Sequence, residues 1–449
     1  MTAPQFVSLV HLGCARNLID SELILGRMAE EGLVITDDAA AAHTVVLNTC
    51  SFIGPAREES ENAIRDLVAK KRAGEIRGVV VAGCLVQRYR RRLREQFPDV
   101  DSFAEISDYR ELARNVRRLV DGKKIPDYLE GPLARSPERE GARLLSTPGS
   151  FSYLRISHGC DHTCSFCTIP SIRGAHRSKS IEVLTGEARE LAEFGVRELV
   201  LVAEDSTAWG RDIGLELPDL IEALGEVEGV ERIRLMYAYP NRFPWRLTEL
   251  LRDHPRVVPY LDIPVQHFST PVLRAMRRAG SGDQVRGILS RLLEEVPELT
   301  LRTTVMLGFP GETEEDVERV IEGIHEFKLA RLGAFTYSDE DSTPAFELGE
   351  KVPEDVARAR YERVLDARDE VLMASQRARI GKTLEILIDE PRSAMDAPLV
   401  GRPASDAPEV DLIALVEDSD AKVGETVRAR VEEVDEAGNL VCRAVGARR

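Results

Sequence analysis

Basic charge is what this 449-residue chain is short of: 60 Lys and Arg stand against 77 Asp and Glu, a formal net charge of −17. Nucleic-acid affinity rests on basic side chains that neutralise phosphates, so this balance argues against a dedicated RNA binder. It suits a basic protein partner instead, because opposite fields speed encounter. Long apolar runs are lacking too, and none approaches the ~18–20 residues needed to cross a bilayer. The opening MTAPQFVSLVHLGC has no basic leader before its apolar stretch, which argues against a signal peptide and for a cytoplasmic protein. Cysteine is sparse, seven in all. In a cytoplasmic chain so few are better explained by metal binding or catalysis than by disulfide staples.

What is present is an ordinary globular composition, 43% hydrophobic and 31% charged, in a chain long enough for two or three domains. Over residues 1–120 a short apolar run three times ends in a cysteine and gives way to turn or helix signals: FVSLVHLG before Cys14, TVVLNT before Cys50, GVVVAG before Cys84. Apolar β-branched runs alternating with amphipathic helices predict a parallel α/β sheet, whose sites form at the carboxyl ends of its strands. That fold can gather three distant cysteines at one edge. Residues 121–145, rich in Pro, Gly and charge, read as a linker.

Within a central unit of residues 146–378, residues 151–338 alternate again and 339–380 look helical and connecting. Strand candidates are YLRIS, RELVLVAE, RIRLMYA, YLDIPV, LTLRTTVML and LGAFTYS, with helical stretches at 180–195 and 313–329 among those between. Six such units predict a parallel barrel or partial barrel with its chemistry at the C-terminal mouth. From about residue 379 to 449 the short strands KTLEILIDE, DLIALVED, ETVRARVEEV and NLVCRAV predict a small all-β barrel. Cys442 falls in one of these strands and reads as core.

The segment SHGCDHTCSFCTIP carries Cys160, Cys164 and Cys167 just after the first strand of the central unit. Three thiolates in one loop can hold three irons of a 4Fe–4S cube and leave the fourth open to chelate S-adenosylmethionine and cleave it reductively to a radical. Phe166 is placed to pack beside the adenine. A structural zinc site completed by His158 or His162 is the competing reading, although the second short-range ligand pair usual in such sites is missing. Cys14, Cys50 and Cys84 again offer three ligands without a fourth, which favours a second open cluster over three core cysteines.

Other candidates are less specific. Glu204 and Asp205 end the second central strand and are placed for the cosubstrate's ammonium or ribose, or form an exposed loop pair. Arg302 is a candidate for the cosubstrate carboxylate, or a surface salt bridge. In LGFPGETEED, Gly308 and Gly311 permit close backbone approach to a ligand, while Thr313 and Asp316 fit a helix capping box. Arg88, Arg90, Arg91, Arg92 and Arg94 could steer an acidic target but read better as a solvated helix face.

These motifs resemble one family along the whole chain, the methylthiotransferases, which combine a three-cysteine domain, a radical S-adenosylmethionine core and a TRAM barrel. LGCARNLIDSE, LNTCSFI and AGCLVQRY resemble its auxiliary-cluster positions, and SHGCDHTCSFCTIPSIRG and GFPGETEED its core. Glu204 departs from the glutamine frequent there. The segments IPSIRG, RLMYAYP, YSDEDSTPA and GRPASDAPEVD resemble the branch that acts on a ribosomal protein. The resemblance implies two 4Fe–4S clusters, two S-adenosylmethionine molecules, an external electron donor and methylthiolation of the β-carbon of one aspartate in small-subunit ribosomal protein S-twelve. A tRNA adenosine beside the anticodon is the alternative substrate. Residues 381–449 hold nine basic and fifteen acidic residues, a net of −6, which suits a basic ribosomal protein better than a tRNA backbone. Asp406, Glu409 and Asp411 are expected to form an acidic recognition loop.

Overall fold

The computed structural model describes residues 6–38, 41–133, 141–278, 280–394 and 397–446. Its first sheet is built from β1 (Phe6–His11), β2 (Val34–Ile35), β3 (Thr44–Thr49), β4 (Gly78–Gly83), β5 (Ser102–Ala104) and β6 (Tyr128–Leu129). They pair in the order β2-β1-β3-β4-β5-β6, all parallel. Every residue of β3 and β4 is buried, as expected of strands covered by helices on both faces. β6 arises inside the stretch expected to be a linker. The same stretch is strapped down further on, where Arg143 donates from Nε to buried Glu22 (3.0 Å) and from Nη1 to the Tyr153 carbonyl (2.7 Å).

The second sheet contains all six strands expected from the sequence. They are β7 (Phe151–Arg155), then, after the short antiparallel pair β8 (Ser157–His158) and β9 (Arg177–Ser178), β10 (Glu198–Val202), β11 (Arg232–Leu235), β12 (Val257–Asp262), β13 (Thr300–Leu307) and β14 (Arg331–Thr336). The order is β14-β13-β12-β11-β10-β7, parallel throughout and not closed. Strand alternation sorts its two faces. Leu154, Leu199, Leu201, Ile233 and Leu261 pack outward against the helical layer. Tyr153, Val200, Val202, Met236 and Tyr260 face inward, in one cluster with Ile19 and Leu23 of the helix Ala15–Glu30. The N-terminal domain is thereby packed on the inner side of the partial barrel.

The C-terminal strands β15 (Thr383–Glu390), β16 (Leu399–Pro403), β17 (Ala414–Glu417), β18 (Thr426–Val434) and β19 (Leu440–Ala444) close a barrel in the order β15-β16-β17-β19-β18. Cys442 is in its core, as expected. The loop between β16 and β17 corrects another expectation. Asp406 pairs with Arg331 (2.6 Å), Asp411 accepts from the Tyr260 hydroxyl (2.6 Å), and Glu409 accepts from the Tyr153 hydroxyl (2.6 Å). Ala407 lies in the inner cluster of the central sheet. These contacts tie the small barrel to the core, since removing one partner of a buried pair leaves the other uncompensated. The side chains of Asp406 and Asp411 are covered in this contact, whereas Glu409 stays exposed.

Candidate functional site

The cysteine-bearing strands β1, β3 and β4 are neighbours in the first sheet, so the turns at their carboxyl ends bring Cys14, Cys50 and Cys84 to one edge. Glycine makes the approach possible. Gly13 has φ +110°, and a Cβ there would lie 2.8 Å from Cβ of Cys50. Asn17 ties two of the turns, its Nδ2 donating to the carbonyls of Leu12 (2.6 Å) and Thr49 (3.3 Å). Burial pushes the Cys84 thiol up to about 11, although Arg173 donates to its Sγ at 3.2 Å, and burial likewise raises Cys50. Cys14 is lowered: burial opposes ionisation there, but Arg16, the backbone N–H of Asn17 and Arg173 outweigh it.

Cys160, Cys164 and Cys167 occupy the loop after β8. Cys160 N donates to the Gly174 carbonyl (3.0 Å), and Ser165 donates from N to Met276 O (2.9 Å) and from Oγ to Ala275 O (2.8 Å), fixing the loop's path. His162, considered above as a zinc ligand, instead meets Asp205 Oδ2 at 2.7 Å and stacks on Tyr239 with centroids 3.7 Å apart. Among the described residues no three His, Cys, Asp or Glu side chains group as they would around a single ion. Burial pushes the thiols of Cys160 and Cys167 up to about 12. Such thiols become thiolates when a cation replaces the proton, so the donor set fits iron, and a cube spaces its sulfurs more widely than a single ion does.

A cavity of about 220 Å³ lies where the two domains face each other. The N-terminal domain supplies Arg16 and Phe52 to its wall. Loop and strand ends of the core supply the three loop cysteines, Phe166, Glu204, Tyr237, Gln266 and Arg278. Three buried polar atoms of this wall, Glu204 Oε2, Gln266 Oε1 and Arg278 Nε, have no hydrogen-bond partner among the described residues. Buried polar groups are rarely left so, and the trio fits a ligand with both donors and acceptors, such as the amino acid and ribose groups of S-adenosylmethionine. Gln266 is further held at φ +71° by backbone bonds to Thr304 and Met306.

The candidate residues divide accordingly. Phe166 and Glu204 are in the wall, whereas Asp205 stands behind it: despite burial its carboxyl is lowered by hydrogen bonds from His162 and Thr207. Arg302 is outside the wall, bound to Asp262 (2.9 Å) and near Asp411 (3.6 Å), because it sits early in β13, a layer below the mouth. Gly308 and Gly311 are also outside. Both have positive φ, and a Cβ at Gly308 would come within 2.5 Å of Cβ of Ala357. The capping box of Thr313 and Asp316 forms. Of the arginines, Arg88 is not solvated: it binds Glu340 at 2.7 Å across the domain seam, while Arg91 pairs with Glu130 at the surface. Arg16, Tyr237, Gln266 and Arg278 were missed. Only Arg16 had a usable signal, its place two residues after a strand-end cysteine.

Known proteins place this geometry. Residues 154–324 match the radical SAM superfamily, 7–105 an uncharacterized protein family (UPF0004), and 380–445 the TRAM domain. The ribosomal protein uS12 methylthiotransferase RimO of Myxococcus xanthus is 38% identical over 99% of this chain and 92% of its own. That of Anaeromyxobacter sp. (strain K) is 41% identical over 96% and 92%. Among solved structures the radical S-adenosylmethionine methyltransferase TsrM of Kitasatospora setae shares the fold, with a TM-score of 0.55 at 16% identity over 76% of this chain and 77% of that one. Among the described residues no helix is long and apolar enough to cross a membrane. With identities near 40% over nearly the full length of both partners, the chain belongs to the RimO family of radical SAM methylthiotransferases.

Proposed function

We propose that this protein transfers a methylthio group to the β-carbon of an aspartate residue in ribosomal protein uS12, in the cytoplasm, drawing electrons from an external donor. One 4Fe–4S cluster is assigned to Cys160, Cys164 and Cys167, a second to Cys14, Cys50 and Cys84, and S-adenosylmethionine to the cavity between. The observation that carries the reading is one cavity walled by Cys160, Cys164 and Cys167 and by Arg16, two residues past Cys14 of the other set, with orphaned polar atoms in its wall. Once bound, these groups supply a carbon radical that removes the target hydrogen and a sulfur that is methylated and passed on.

The chain's own residues do the rest. Glu204 and Gln266 offer acceptors to the cosubstrate's amino and hydroxyl groups, and Phe166, braced edge-on by Phe309, offers a flat face to its adenine. Arg278, stacked 4.1 Å from the Tyr239 centroid, sets a positive charge beside Cys164. The N-terminal domain, which adds Arg16 and Phe52 to the wall, is held by Asp20 to Arg155 and Arg173 on one side and by Arg88 to Glu340 on the other. The test is anaerobic purification followed by iron and sulfide analysis, then incubation with S-adenosylmethionine, reductant and either uS12 or tRNA. We expect iron for two clusters and a methylthio group on uS12 by peptide mass spectrometry. Product on tRNA and none on uS12 would refute the substrate.

A further inference from the structure

The cavity wall contains two arginines, one from each domain. Arg278 is committed on three sides: Nη2 donates to the Pro264 carbonyl, the plane stacks on Tyr239, and Nη1 reaches Cys164 Sγ at 3.7 Å. Arg16 leaves the N-terminal domain beside Cys14 and crosses the seam into the core. Its Nη1 donates to the Ala203 carbonyl at 3.1 Å, its guanidinium lies 4.7 Å from the Tyr237 ring centroid, and its side chain also hydrogen-bonds Cys14. The carboxylate nearest to it, Glu204, stands at 4.0 Å, beyond hydrogen-bond reach, and the side chain keeps 17% of its surface exposed. A fork-shaped cation is thus placed at the junction of the two cysteine sets without a bidentate carboxylate.

We propose that Arg16 receives the carboxylate of the acceptor aspartate and makes the site specific for an acidic side chain. The inference rests on the aspartate reading above. In an aspartate the reacting β-carbon is bonded directly to the carboxylate carbon, so a carbon held between the cysteine sets brings its two oxygens into this same cavity. One carboxylate, Glu204, already stands in the wall. Burying another carboxylate there is costly unless a cation hydrogen-bonds it, and planar guanidinium matches both oxygens at once. Asparagine has nearly the same shape without the charge, so it measures the contact directly.

The experiment uses the reconstituted holoenzyme and uS12 carrying either Asp or Asn at the acceptor position. Wild-type enzyme should show kcat/KM about 100-fold lower for the Asn acceptor, the size expected of a charge-assisted pair. Arg16→Gln should collapse that ratio to within a few fold by losing turnover of the Asp acceptor, and Arg16→Lys should restore part of it. Equal turnover of both acceptors by wild-type enzyme overturns the proposal with no variant needed. So does an Arg16→Gln enzyme slowed equally on both, which would assign Arg16 to the cosubstrate or to the neighbouring cysteines. Absence of any product on Asp-bearing uS12 with wild-type enzyme refutes the function itself.

Discussion

Replacing Glu198 by Ala should undock the C-terminal barrel from the core. Glu198 opens β10, is fully buried, and has both oxygens engaged: Oε1 accepts from Arg234 Nε at 2.6 Å and Oε2 from Arg402 Nη1 at 2.7 Å. Arg402 comes from β16 and also meets Asp389 at 2.9 Å, so this one carboxylate joins two domains. Burial by itself would raise its pKa, yet Arg234 and Arg402 hold it down to about 2 from an ordinary 4.5. At about 1.4 kcal/mol per unit that shift corresponds to about 3 kcal/mol. Removing one partner of a buried pair costs about 3–5 kcal/mol, which agrees. The undocked population should rise by roughly two powers of ten. Limited proteolysis near residues 378–382 measures this through release of a C-terminal fragment, alongside urea denaturation of the whole chain. Fragment release and denaturation midpoints matching wild type would refute the reasoning. Glu354→Ala, which breaks the exposed pair with Arg358, is the control and should change nothing measurable.

Acid should act through the same residue: its folded value lies below the unfolded one, so its contribution is whole above pH 4.5 and drains as pH falls toward 2. The gap between wild type and Glu198→Ala should shrink over that window, and a constant gap would count against the assignment. Replacing Cys160, Cys164 and Cys167 together by Ala should remove about half the iron and abolish S-adenosylmethionine cleavage, whereas replacing Cys14, Cys50 and Cys84 should remove the other half and abolish methylthio transfer. Full iron in either triple variant would return its cysteines to a structural role. Gly308→Ala, at φ +73° and 2.5 Å from Ala357, should cost about 1–3 kcal/mol in urea denaturation. Asp406→Lys, set among Arg331 and Arg379, should destabilise the chain with no relief from added salt, since buried charges are poorly screened; a loss that salt reverses would place Asp406 at the surface.

Local signals reached far in this chain. β1, β3 and β4 and all six core strands stand where apolar runs predict them, since period and β-branching report local burial. β16 was missed because LVGRP has neither alternation nor β-branching beyond one valine, and its pairing with β15 and β17 is tertiary. The cysteine sets were legible because strand ends and loop spacing are local features. Arg16, Tyr237, Gln266 and Arg278 were not, because they come from separate stretches of chain and meet only when the domains close. The acidic loop was misjudged for a related reason. Net charge is a property of composition, and composition does not say that Arg331, Tyr260 and Tyr153 are waiting on the other side.

That misjudgement points to how the domains are held. Asp20 reaches Arg155 and Arg173, Glu22 reaches Arg143, Glu198 reaches Arg402, Asp406 reaches Arg331, and Glu340 reaches Arg88. Each of these carboxylates is buried and each pair joins segments far apart in sequence. Buried ion pairs give little net stability, since desolvation offsets most of their attraction, but they tolerate few alternative alignments. An apolar seam could slide by an ångström at small cost; a seam of Arg–carboxylate pairs cannot. The proposed reaction needs that rigidity, because hydrogen removal and sulfur delivery must act on the same carbon from opposite domains, and reacting atoms have to be held near contact. Each pair is close to neutral, so these carboxylates add nothing to the net −17, which the rest of the chain carries, while the pairs themselves hold the domains in register.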